Sequence, residues 1–222
     1  EMTMDIIDIL KDMFPAQIAV QSFDSKVIKA IKRKNIQKTQ INELIKRYHD
    51  KGLIVSTDIL FVCSAETLQS HYDTLMTCFN LDYDIVSINN IRMLPGTEIE
   101  QDESRKKYGF ETKYRFIPNS YGKYDGKFVF EIEEAIVASN TMTEKEMNEL
   151  KTLHFLIQFL WNSSFAINIL RIGNDYGFNP VDVILNIQQT KSNHEVAEIL
   201  NSLRWESEKE WFSSEESLMQ FY

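Results

Sequence analysis

Three short apolar runs, QIAVQS (17–22), IVSTDILFV (54–62) and DIVSINNIRM (84–93), are separated by segments with helical spacing. That alternation constrains the fold more than any other feature, because strands joined through helices cross over in the right-handed sense and form a parallel sheet. The linking segments carry helix signals. Asp24 caps the basic stretch SKVIKAIKRKN (25–35), Thr39 caps QINELIKRYHDK (40–51), which Gly52 closes, and Ser64 precedes a helix through Asn80 with Leu68, Tyr72, Leu75, Met76 and Phe79 on one face. Met2 to Phe14 also has helical spacing and is stopped by Pro15. In the third strand Ile85, Val86, Ile88, Ile91 and Met93 read as buried on both faces, and Pro95-Gly96 ends it. Parallel sheets meet ligands at the carboxyl ends of their strands, which puts Asn89, Asn90 and Arg92 where a site is expected. Three strands cannot close a barrel, so the pattern permits a doubly wound sheet or half a barrel with one edge uncovered.

With 33 acidic against 24 basic residues the net charge is -9, which disfavours nucleic-acid and anionic-membrane partners. No apolar run approaches the ~20 residues of a membrane span and no signal core follows the start, so a cytoplasmic location is expected. Cys63 and Cys78 match neither zinc nor redox spacing and read as reduced, buried thiols. The chain opens on a helical pattern with no segment before it, as a piece of a longer protein would.

From Glu100 to Asn140 charged turns alternate with aromatic pieces (YGFETKYRF, GKFVFEIEE) separated by Asn119-Ser120 and Asp125-Gly126. This reads as an extended, loop-rich segment with short strands. Thr143 and Glu146 then form a capping box, and Met147, Leu150, His154, Ile157 and Trp161 recur at helical spacing. Asn179-Pro180 starts another helix, and an acidic tail carries Trp211, Phe212, Phe221 and Tyr222 as aromatic anchors. The expected fold class is therefore α/β: a parallel-sheet half of a partial (β/α) barrel (1–100), an extended loop-rich segment (101–142) and a small helical module with an acidic tail (143–222). No glycine-rich phosphate loop, nucleophile elbow or metal-spaced histidine pair occurs; His49, His71, His154 and His194 are scattered through expected helices.

In order and spacing, VQSFDSKVIKAIKRKNI (20–36), DILFVCSAET (58–67) and INNIRMLPGTEIE (88–100) resemble the fourth to sixth barrel strands of radical S-adenosylmethionine enzymes. The likeness is to the class with an amino-terminal cobalamin-binding domain, and residues 106–157 are similar to the region after its barrel. The resemblance implies cofactor contacts from Gln21, Ser22 and Arg33 on the fourth strand and its helix. It also implies contacts from Asp58 and Glu66 around the fifth strand and from Asn89 and Arg92 on the sixth. After the fifth strand the family prefers a Gly-x-Pro-Gly-Glu-Thr turn; Glu66 and Thr67 match, while Val62, Ser64 and Ala65 replace the Gly, Pro and Gly. The implied parent is an oxidoreductase or methyltransferase that uses S-adenosylmethionine and a 4Fe-4S cluster, with cobalamin use left open. Its Cys-x-x-x-Cys-x-x-Cys motif is not in this chain. No cofactor is expected to bind these residues tightly by themselves; the expected partners are the amino-terminal remainder and a small-molecule substrate. The alternative is a non-catalytic α/β domain with a helical interaction module.

Overall fold

A computed structural model describes Ile9, Met13, residues 16–190 and residues 193–221. The helix expected over Met2 to Phe14 lies outside these residues except at Ile9 and Met13, and Tyr222 lies outside them too. The chain forms two compact units, each assembled from separate stretches: 1–60, 69–89 and 153–187 in one, and 61–68, 90–152 and 188–222 in the other.

The first unit is α/β. Strands β1 (Ala16–Gln17), β2 (Val55–Phe61) and β3 (Ile85–Asn90) form a parallel sheet in sequence order. Between them lie α1 (Ser25–Ala30), α2 (Lys38–His49) and α3 (Leu68–Asn80). Asp24 caps α1 as expected, its carboxylate accepting from the Lys26 and Val27 N–H groups at 2.8 and 2.9 Å. Helix α2 starts earlier than Thr39, with Gln37 and Gln40 as its capping pair. Along β2 burial alternates strictly, Val55, Thr57, Ile59 and Phe61 being buried and the residues between half-buried. In β3 only Val86 is buried. β2 is thus covered fully on one face and β3 only in part, not on both faces as the apolar runs suggest.

The third apolar run does not continue as one strand. After Asn90 it leaves β2, and Arg92 pairs antiparallel with Ala135. In the second unit, following α4 (Asp102–Tyr108), β4 (Glu111–Tyr124) and β5 (Lys127–Ala138) form a long antiparallel hairpin. This corrects the loop-rich reading of 101–142. Asp125 (φ 48) and Gly126 (φ 81) both take the left-handed conformation of a two-residue hairpin turn, and Asn119-Ser120 sits in a register shift between Phe116 and Tyr121, not in a loop.

Helix α5 (Glu144–Ile157) starts at the Thr143–Glu146 capping box, with the Glu146 N–H donating to Thr143 Oγ1 at 3.3 Å, and runs into a π-helical turn (Gln158–Asn162). Helices α6 (Ile167–Asp175), α7 (Pro180–Gln189), α8 (His194–Lys209) and α9 (Glu215–Phe221) follow, so the run expected as one module divides between the two units. The tail anchors onto β4 through paired backbone bonds between Phe212 and Tyr114, at 2.8 and 2.9 Å. No single helix among the described residues is long and apolar enough to cross a membrane.

The free edge of β3 is closed by the π-helical turn. Asn162 accepts from the Val86 N–H at 3.0 Å and donates to the Val86 carbonyl at 2.9 Å, standing in for a neighbouring strand. Next to it the Trp161 indole N–H donates to the Asp84 carbonyl at 2.9 Å. A π turn inserts one extra residue into the helix, which brings these consecutive side chains to the same strand.

Candidate functional site

The carboxyl edge of the parallel sheet is where the seven candidate residues were sought. Gln21 sits on it: its N–H donates to the Asp58 carbonyl at 2.9 Å and its carbonyl accepts from the Leu60 N–H at 3.1 Å, at a left-handed φ of 63. Asp58 lies beside it on the half-covered face, its carboxylate accepting from the Gln17 amide. Asn89 is exposed on β3. Ser22 faces inward, fully buried, with its hydroxyl accepting from the Asp24 N–H (3.1 Å) and 3.3 Å from Thr74 Oγ1. Arg33 follows α1 and donates to the Ala19 carbonyl at 2.9 Å. Gln21 and Asp58 therefore come together, whereas Ser22 and Arg33 hold backbone.

Glu66 and Arg92 belong to the second unit. Glu66 is fully buried and folds back to accept the Cys63 N–H at 3.0 Å. Around it the chain is strained: Val62 (φ 60) and Ala65 (φ 65) both adopt the left-handed conformation, rare for any residue with a Cβ and an outlier for a β-branched one. Burial pushes the Cys63 thiol well up, and the Glu66 charge pushes it further, so it stays protonated. Asn90, at the end of β3, is the residue that sequence reasoning noticed without assigning. Its amide nitrogen and oxygen are both buried with no hydrogen-bond partner among the described residues. Leaving two such groups unmet costs about 1–3 kcal/mol each.

Arg92 is committed elsewhere. Consecutive residues of β5 point to opposite faces of the hairpin, so Glu133 and Glu134 nucleate two separate ionic clusters. Glu134 takes Arg105 in a bidentate pair (2.7 and 2.8 Å) plus the Thr112 hydroxyl. Glu133 takes Arg92 (2.7 Å) and Arg115 (2.5 Å). The Arg105 guanidinium holds the Glu134 carboxyl below its ordinary range; for Glu133, burial would raise the pKa, but Arg92 and Arg115 outweigh it.

Sequence reasoning missed a cleft of about 680 Å³ at the amino edge of the parallel sheet, lined in part by His49, Asp82, Asp84, Trp161 and Arg171. Asp84 accepts from His49 Nε2 (2.8 Å), the Val55 N–H (2.7 Å) and Arg171 (2.5 Å). Burial acts to raise its pKa, and these three donors together lower it. The amino edge of parallel strands ordinarily carries stability and not chemistry. Among the described residues no three His, Cys, Asp or Glu side chains are arranged to hold a metal ion. No protein-family model matches the chain, and no curated protein matches it significantly.

Proposed function

We propose that this chain is the carboxyl-terminal part of a radical S-adenosylmethionine enzyme, supplying half of a partial (β/α) barrel and the extension after it. The observation that carries the reading is the turn after β2. Val62 and Ala65 stand where the resembled family has glycines, and both take the left-handed backbone that glycine adopts most readily. The parallel strands in sequence order and the half-covered β2 face with Asp58 agree with half of a barrel wall. In this reading Gln21 and Asp58 line the carboxyl edge towards the cofactor. S-adenosylmethionine supplies the adenosyl group when bound.

The chain's own residues do not fit the 4Fe-4S cluster. Cys63 and Cys78 are both fully buried and both pushed towards the protonated form by burial, whereas cluster ligation needs thiolates. The cluster, any cobalamin and the amino-terminal barrel half belong to the remainder of the parent, a cytoplasmic enzyme acting on a small molecule. Titration calorimetry of S-adenosylmethionine onto this chain joined to the three-cysteine segment tests the reading. Binding weakened about tenfold by Gln21→Ala is expected, and loss of one amide contact has that size. No binding, or binding indifferent to that change, refutes it.

One observation favours the alternative of a partner-binding domain. Phe155, Phe159 and Phe165 form an exposed stacked ladder, with ring centroids 6.2 and 4.4 Å apart, next to exposed Ile169 and Ile172. Contiguous exposed apolar area of this kind marks interaction surfaces.

A further inference from the structure

The exposed aromatic ladder continues onto helix α6. Phe165 stacks on Phe159 and stands one turn before Ile169; Ile172 and Tyr176 then follow at three and four, forming one exposed face while Leu170 is buried on the other. With Phe155 these residues all belong to the first unit. Together they expose the equivalent of between three and four whole large side chains, on the order of 700 Å² at roughly 200 Å² each. The largest apolar patch of a monomer is ordinarily about 300–600 Å².

Size and charge narrow the choice of what covers this face. A standard protein–protein interface takes about 800 Å² from each partner, whereas a small molecule would leave most of the face wet. From Phe155 to Leu170 there is no Asp, Glu, Lys, Arg or His, in a chain of which 26% is Asp, Glu, Lys or Arg. A surface that meets its own copy across a two-fold axis brings its charges towards identical ones, and chains of net charge -9 repel each other besides, so a self-contact needs an uncharged face of this kind. A partner of another sequence would be steered to an acidic chain by charges around the contact. A helix lying on a bilayer carries several Lys and Arg; α6 has Arg171 alone, and that is held by Asp84 and Asp82. The ladder is also prearranged, the Phe155 and Phe159 ring planes being 2° apart, so docking costs little side-chain freedom.

We propose that this face is the contact between two copies of the chain related by a two-fold axis, each covering the other's phenylalanine ladder and the exposed face of α6. The pair would bury about 1,400 Å² in total, inside the range of about 1,200–2,000 Å² for stable, specific interfaces. The contact rests on the partner-binding reading above, for which it names the partner, and is independent of the radical chemistry, which the calorimetry tests separately.

Sedimentation equilibrium from about 1 to 100 µM tests it, and the chain should reach twice its own mass in the upper part of that range. Phe165→Ser and Ile169→Lys alter side chains that are 70% and 74% exposed, so each variant should keep the original circular dichroism spectrum while its dissociation constant rises about tenfold or more. Ile169→Glu should weaken the pair similarly, and mixing the Lys and Glu variants should restore association about threefold or more over either alone, because unlike charges then face each other across the axis. A chain that stays monomeric at about 100 µM, open-ended larger oligomers, or a dimer indifferent to these changes would each overturn the proposal. So would a monomer that floats with phosphatidylcholine vesicles and loses that binding in the same variants, which would give the face to a lipid surface.

Discussion

Replacing Asn162 by alanine removes the side chain that pairs both backbone groups of Val86. Val86 is 1% exposed, so water does not take over. Two backbone bonds, of 3.0 and 2.9 Å, are lost together with the bond to Gln158 Oε1. A buried donor or acceptor without a partner costs about 1–3 kcal/mol; with partial relaxation of the turn, Asn162→Ala should destabilise by about 2–4 kcal/mol. Urea unfolding followed by tryptophan fluorescence measures this, because Trp161 is adjacent and fully buried. The midpoint should fall with the slope unchanged. Asn162→Asp adds a sharper test. A carboxylate still accepts from the Val86 N–H but repels its carbonyl, whereas the protonated acid restores both bonds. The Asp variant should therefore resemble the Ala variant at pH 8 and recover relative to it at pH 5. A cost below about 0.5 kcal/mol for Asn162→Ala would refute the strand-mimic account, since that is within the spread of surface substitutions.

Four further outcomes are expected. Ala65→Gly should stabilise by about 0.5–1 kcal/mol in urea melts, because glycine removes the left-handed penalty at φ 65 and returns only part of it as unfolded-state entropy. Glu134→Gln should cost roughly 1.5–3 kcal/mol, since the bidentate Arg105 pair becomes at best one bond to an uncharged acceptor; an unchanged melting temperature would show that pair to be idle. Asp84, Glu133 and Glu134 all have pKa values lowered by folding, so the stability they contribute is complete above the ordinary carboxyl pKa and lost as pH falls through the lowered values. Melting temperature should accordingly drop below about pH 4, and less steeply in Glu134→Gln. Lys151, half-buried on α5, has the opposite linkage: burial disfavours its charged form and lowers its pKa to about 8, so stability relative to Lys151→Met should rise as pH increases from about 8 towards the ordinary lysine value, and a flat difference would contradict that burial.

The parallel order of the strands was legible because the signal is redundant: the first two apolar runs are each followed by a helix with its own start signal, and crossover handedness leaves few alternatives. The hairpin was not, although its strongest mark, Asp125-Gly126 between two aromatic runs, stood in the sequence. Asn119-Ser120 imitates a loop, and a bulge is indistinguishable from a break until the partner strand is known. The change of partner at Asn90 has no local mark either, since residues on both sides of it are equally apolar and β-prone. Site residues fared according to what joins them. Gln21 and Asp58 meet because strand pairing alone brings them together, whereas Arg92 is held by a side-chain pair with Glu133, 41 positions away, and the Asn90 amide meets no partner among the described residues.

The same Asn162 contact has a consequence during synthesis. Val86 and its pairing side chain are separated by 76 positions, so β3 exists before the group that closes its edge has been made. At about 5–20 residues per second, that interval is roughly 4–15 s on the ribosome, long compared with the microseconds in which strands associate. Throughout it the nascent sheet offers an open edge of the kind that recruits other chains. Slow codons or a stalled ribosome between these positions would lengthen the exposure, and chaperone capture of ribosome-bound chains should peak for lengths that end inside this window.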